Sequence, residues 1–192
     1  QAIKEMTIEQ VVATAGDGRL RDKNDCSREL REYLSQVQSD SLADYAEYCL
    51  SSAFNRGGMV QQDLVNEMGR RLDFKVTNGR YLGTTGEIGF DGLWKGPEGN
   101  DLIVEVKTTD AYRISLDTIA GYRTRLQEQG TVGKNTSILL IVGREDTGEL
   151  EAQVRGSRHA WDMRLISIDA LVSLVKLKET TEASATGAKI RG

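Results

Sequence analysis

Asp91, Glu105 and Lys107 are the residues whose types and spacing best suit catalysis in this chain. Asp91 interrupts the apolar segment Ile88-Gly89-Phe90-Asp91-Gly92-Leu93-Trp94, and Glu105-Val106-Lys107 ends the run Leu102-Ile103-Val104. Between them, Lys95-Gly96-Pro97-Glu98-Gly99-Asn100-Asp101 holds the only proline and reads as a hairpin connection. Alternate residues of a strand share a face about 6.6–7 Å apart, so Ile103, Glu105 and Lys107 point one way and Leu102, Val104 and Val106 the other. If the hairpin register brings Asp91 opposite, two carboxylates and an ammonium meet on one sheet face. That is the chemistry of a divalent-metal site with a lysine beside it. The plainer alternative is an exposed strand end, with Glu105 and Lys107 as a solvated pair and Asp91 as a turn residue beside Gly92. An acid two residues before a lysine arises by chance in a chain that is 28% charged, so the weight of the triplet lies in its apolar context.

The elements that must hold these residues are legible from periodicity. Upstream, Gln61 to Leu72 reads as a helix whose buried stripe is Leu64, Val65, Met68 and Leu72, with Glu67 on its rim; Asp73 to Val76 reads as a first strand. Downstream, Ser115 to Gln129 reads as a helix capped by Ser115, and the unbroken apolar run of Ser137 to Val142 suits a strand buried on both faces. That helix then serves as the crossover between two parallel strands. Arg164 to Ile168 reads as a fifth strand, followed by a helix from Asp169 to Leu177. Near the N-terminus, Ser27 is placed to cap a helix bearing Leu30, Tyr33, Leu34 and Val37. A second helix carries Leu42, Tyr45, Ala46, Cys49, Leu50, Ala53 and Phe54 on one face, with Ser41 as its cap and Glu47 turned to solvent. The expectation is an α/β domain over residues 58–178, in the order αβββαβ, with a central mixed sheet flanked by helices. A helical extension, residues 1–57, packs on it. Residues 179–192, rich in Thr, Ala, Ser and Gly, are expected to be a disordered tail or linker leading to a further domain.

Asp91, followed on the next strand by Glu105-Val106-Lys107, resembles the motif of the PD-(D/E)XK nuclease superfamily. The helix and strand ahead of it are similar to those of Mrr-type and Holliday-junction-resolvase-like members, and the likeness spans roughly residues 60–178. Phe90 stands where the motif's name has proline. The resemblance implies a restriction-endonuclease-like core and Mg²⁺, with Mn²⁺ as substitute, held by Asp91, Glu105, the Val106 carbonyl and the helix acid Glu67. Lys107 would orient or deprotonate the attacking water, and the reaction would be hydrolysis of DNA phosphodiester bonds by an endonuclease, as in restriction or defence proteins. Two other classes stay open: an inactive nuclease-fold module that binds nucleic acid or a protein, and a metal-dependent ribonuclease. For Glu67 the plain alternative is an ion pair with Arg70 or Arg71 at i+3 or i+4.

Composition narrows the field. A chain of 192 residues with 39% hydrophobic content suits one packed domain with an appendage. No run approaches the ~20 apolar residues of a membrane span and no leader is evident, so a soluble, cytoplasmic protein is expected. Cys26 and Cys49 read as two reduced thiols. With His159 as the only histidine, a histidine-rich zinc site is excluded and a Ser-His-Asp triad is a poor fit; oxygen donors suit Mg²⁺ or Mn²⁺. A net charge of −4 argues mildly against DNA, but cations cluster locally. Arg70, Arg71, Arg80, Tyr112, Arg113, Arg123 and Arg158 are the candidate DNA contacts, whereas Trp161 is expected to pack in the core. Whether the working unit is a homodimer is open at this stage.

Overall fold

The computed structural model describes residues 5–107, 115–143, 147–181 and 184–192. In chain order the elements are α1 (Ile8–Thr14), α2 (Asp25–Gln36), α3 (Ser39–Ser51), α4 (Gly57–Arg71), β1 (Lys75–Asn78), β2 (Gly92–Lys95), β3 (Asp101–Lys107), α5 (Leu116–Glu128), β4 (Ser137–Val142), α6 (Gly148–Arg155), β5 (Met163–Ser167), α7 (Ile168–Thr180) and α8 (Ser184–Arg191). The strands form one sheet in the order β1-β2-β3-β4-β5, antiparallel from β1 to β3 and parallel from β3 to β5. This is an α/β fold with a five-stranded mixed sheet flanked by helices.

Period-2 alternation divides the sheet's side chains between two cores. Trp94, Val104 and Ile141 pack with Leu64 and Met68 of α4, Leu171 of α7 and Leu30, Leu34 and Leu42 of the N-terminal helices. Leu93, Ile103, Ile138, Leu140 and Val142 pack on the other face with Ile119 and Leu126 of α5 and Leu150 of α6. Helix α4 therefore lies between the sheet and the N-terminal helices, and every residue from Val60 to Gly69 is buried. Gly69 allows its closest approach: a Cβ there would stand 2.6 Å from the Trp94 ring.

Local chemistry moves several boundaries. Asn24, not Ser27, caps α2 by accepting the Ser27 N–H at 3.0 Å. Helix α3 starts two residues ahead of Ser41, and Ser115 bonds Thr118 instead of capping the α5 backbone. Asp73 takes a positive φ of 67°, which delays β1 to Lys75. Helix α1, closed by a Thr7–Gln10 capping box, and helix α6 were not anticipated.

Two expectations are overturned. The segment expected to be a disordered tail carries α8, because Ile190 packs on the first core and the Arg191 side chain, 7% exposed, is gripped by Glu98 and Asp73 and donates to the Leu72 carbonyl at 3.1 Å. Trp161, expected in the core, is 89% exposed, since it falls in the turn before β5 and outside any packed face. Among the described residues no helix is long and apolar enough to cross a membrane.

Candidate active site

Strand β2 starts at Gly92, so Asp91 stands one residue ahead of it. The last β2–β3 pair is Gly92 with Val104. Beyond it, the Asp91 N–H donates to the Val104 carbonyl at 3.0 Å and Asp91 Oδ2 accepts the Val106 N–H at 2.7 Å. The carboxylate thus takes the place of the next rung of the ladder. In an extended strand a residue's N–H and C=O leave on the same edge, so the Val106 carbonyl also faces the Asp91 side. Glu105 is 7% exposed, and its Oε2 lies 3.8 Å from Lys107 Nζ. Asp91, Glu105 and Lys107 line one cavity of about 440 Å³, walled by Arg80, Phe90 and Tyr122.

At this corner burial outweighs pairing among the described residues. Burial pushes the Asp91 carboxyl above its ordinary range, against the opposing pull of the Val106 N–H and the Lys107 charge. Burial also pushes Glu105 up, and the neighbouring Asp91 charge adds to the shift while Lys107 opposes it. Two carboxylates therefore share a space with one lysine. A hard divalent cation relieves that repulsion, and the donors suit it: two carboxylates plus a strand-edge carbonyl leave room for the waters Mg²⁺ retains. The set is lean, since among the described residues no group of three or more His, Cys, Asp or Glu is placed to hold a metal.

Compared with known proteins, the chain matches no family model and no curated protein. Its chemistry rests on the residues.

Glu67, expected to complete the metal set, does not line this cavity. It is buried and accepts from Arg71 Nε at 3.1 Å, with Arg70 at 3.8 Å. Arg71 in turn donates to the Leu34 and Val37 carbonyls and to Ser39 Oγ, so the pair is a buried joint between α4, α2 and α3. The apolar stripe of α4 misleads because the helix is covered on both sides.

The candidate DNA contacts divide. Arg80 lines the cavity and pairs with Glu87 at its rim. Arg70 is tied to Asn78 and Glu67, and Arg71 is a packing joint. Arg123 is turned away from the cavity, donating to the Thr136 carbonyl at 2.6 Å and pairing with Asp162. Arg158 lines a separate cleft, paired to Asp117 at 3.0 Å, where His159 Nε2 also meets Asp117 at 2.6 Å. Tyr112 and Arg113 lie outside the described residues.

The sequence reading missed the side chains of α4 that face the site. Gln62 Nε2 reaches the carbonyls of Gly79, Arg80 and Asp91, each at 3.2 Å, and Asn66 Nδ2 reaches the Asp91 carbonyl at 2.9 Å. Asp63, 1% exposed, accepts from Arg31 at 3.0 Å and from the Tyr81 hydroxyl, fastening the loop that carries Arg80. The available signal was a run of polar residues, Gln61-Gln62-Asp63 and Asn66, inside a helix with an apolar stripe.

Proposed function

We propose that this chain is a Mg²⁺-dependent nuclease that hydrolyses DNA phosphodiester bonds on a restriction-endonuclease-like core. The observation that carries the reading is the convergence of Asp91, Glu105 and Lys107 on one cavity, with both carboxyls pushed up by burial. The order α4, β1, β2, β3, α5, β4 supports it, as does the resemblance of the Asp91 and Glu105-Val106-Lys107 motif to the PD-(D/E)XK superfamily. Phe90 in place of proline and Glu67 outside the cavity are this chain's departures from that pattern.

Asp91, Glu105 and the Val106 carbonyl would hold the ion. Bound there, Mg²⁺ would lower the pKa of a coordinated water and offset charge on the scissile phosphate. Lys107, beside Glu105 at the mouth, would hold the attacking water or a nonbridging phosphate oxygen. Arg80, half-exposed at the rim, offers a cation to the flanking backbone.

Incubation with plasmid DNA in Mg²⁺ or Mn²⁺ should yield cleavage that chelator abolishes, with an RNA substrate run in parallel. Cleavage undiminished in EDTA would remove the metal mechanism. DNA binding without cleavage in any metal would favour the silent module, and exclusive RNA cleavage the ribonuclease.

A further inference from the structure

The Asp91 carbonyl has two lone pairs but three donors: Gly79 N at 2.9 Å, Asn66 Nδ2 at 2.9 Å and Gln62 Nε2 at 3.2 Å. Gly79 alone satisfies that carbonyl, so backbone bookkeeping does not explain the buried Asn66 amide directed at it, and Gln62 Nε2 adds a contact there while also reaching the Gly79 and Arg80 carbonyls at 3.2 Å. Each amide would cost about 1–3 kcal/mol if left unpaired, and an apolar side chain could pack in either place. The orientation of the Asn66 amide is also decided. Trp94 Nε1, a donor only, reaches Asn66 Oδ1 at 2.9 Å, which turns Nδ2 towards Asp91. Gly92 supplies the room, because a Cβ there would overlap Asn66 Oδ1.

We propose that Asn66 and Gln62 are positioning residues that fix the Asp91 peptide from α4, so that its carboxylate is held on the Val106 N–H and presented to the cavity. Asp91 is then anchored at three atoms: its N–H on Val104, its carbonyl on α4 and its Oδ2 on Val106. A residue just outside a strand otherwise has the freedom of a loop. A ligand set of only two carboxylates tolerates little of it, since productive geometry must hold within roughly 0.5 Å. The consequence for metal binding rests on the nuclease reading; the anchoring itself does not.

Amide hydrogen exchange separates the two. The Val106 amide reports its bond to Asp91, and the Gly143 amide, bonded to the Lys107 carbonyl at 3.0 Å, reports the same strand end on its β4 side. In Asn66→Ala, and less strongly in Gln62→Met, the Val106 amide should exchange about tenfold faster relative to Gly143, because a general loss of stability speeds both together. Calorimetric titration with Mn²⁺ should show weaker binding in the same variants. A Val106-to-Gly143 ratio unchanged in both variants overturns the assignment, whatever the metal does. A shifted ratio in a protein whose wild type neither binds Mn²⁺ nor cuts DNA leaves the positioning role standing and removes the nuclease reading. Gln62→Met keeps the Asn66–Trp94 bond and provides the test if Asn66→Ala does not fold.

Discussion

Two clusters of acids and bases flank α5, and they are built on opposite electrostatic terms. At the Asp91 corner, which Tyr122 of α5 helps to wall, both carboxyls are drawn away from water and pushed up by burial, with Lys107 opposing the shift. At the α5 N-terminus, Asp117 is solvated, and its bonds to His159 and Arg158 hold its carboxyl below the usual range. The second cluster is locally satisfied, and such exposed pairs are screened and contribute little. In the first, burial holds both carboxyls towards their protonated forms, so a cation that displaces those protons has something to gain. Groups raised by burial in a cavity are for that reason better site candidates than exposed groups lowered by their own partners.

The sharpest way to break this contrast is catalytic. Glu105→Gln and Asp91→Asn should each lose Mn²⁺ binding together with cleavage, whereas Lys107→Ala should lose cleavage and keep the metal. A loss of about 10³-fold corresponds to ~4 kcal/mol of transition-state stabilisation. Arg158→Ala, from the satisfied cluster, should leave the rate on a short duplex unchanged. Equal losses at Lys107 and Arg158 would erase the distinction.

The next effect falls on stability. Glu67 is buried against Arg71, so Glu67→Ala strands a cation between α4, α2 and α3 and should cost ~3 kcal/mol in urea unfolding. Cleavage per folded molecule should not change. A large drop in rate at wild-type stability would return Glu67 to the metal site.

The smallest effect concerns pH. A carboxyl whose folded pKa is raised binds its proton more tightly in the native state. Stability is then greatest below the ordinary carboxylate range and falls as pH rises through the folded pKa. Metal-free Glu105→Gln should therefore melt higher than wild type near neutral pH, with the gain vanishing in acid. Asp117, held down, has the opposite sign: its contribution is present above the ordinary range and is lost as pH falls below it. Because it is exposed, Asp117→Asn should scarcely move Tm at any pH. Scanning calorimetry of the two variants in chelator compares them, and parallel pH profiles would show that burial does not distinguish the two sites.

Much of this was legible in the chain alone. Alternation along β3 placed Glu105 and Lys107 on one face, because the strand period of two admits no other arrangement. The turn around Pro97 foretold the antiparallel β2–β3 pair, and the unbroken apolar run of Ser137 to Val142 foretold a strand covered on both faces. What stayed hidden were choices between partners distant in sequence. An amphipathic stripe tells one covered side of a helix from one wet side, but α4 is covered all round from Val60 to Gly69, and no stripe says which polar residue meets which neighbour. Only tertiary packing sent Glu67 to Arg71 and turned Gln62 and Asn66 towards Asp91. The same holds for Asp91: composition supplied the acid, but its carboxylate replaces a ladder rung because β2 begins one residue later and the β2–β3 register leaves the Val106 N–H without a backbone partner from β2.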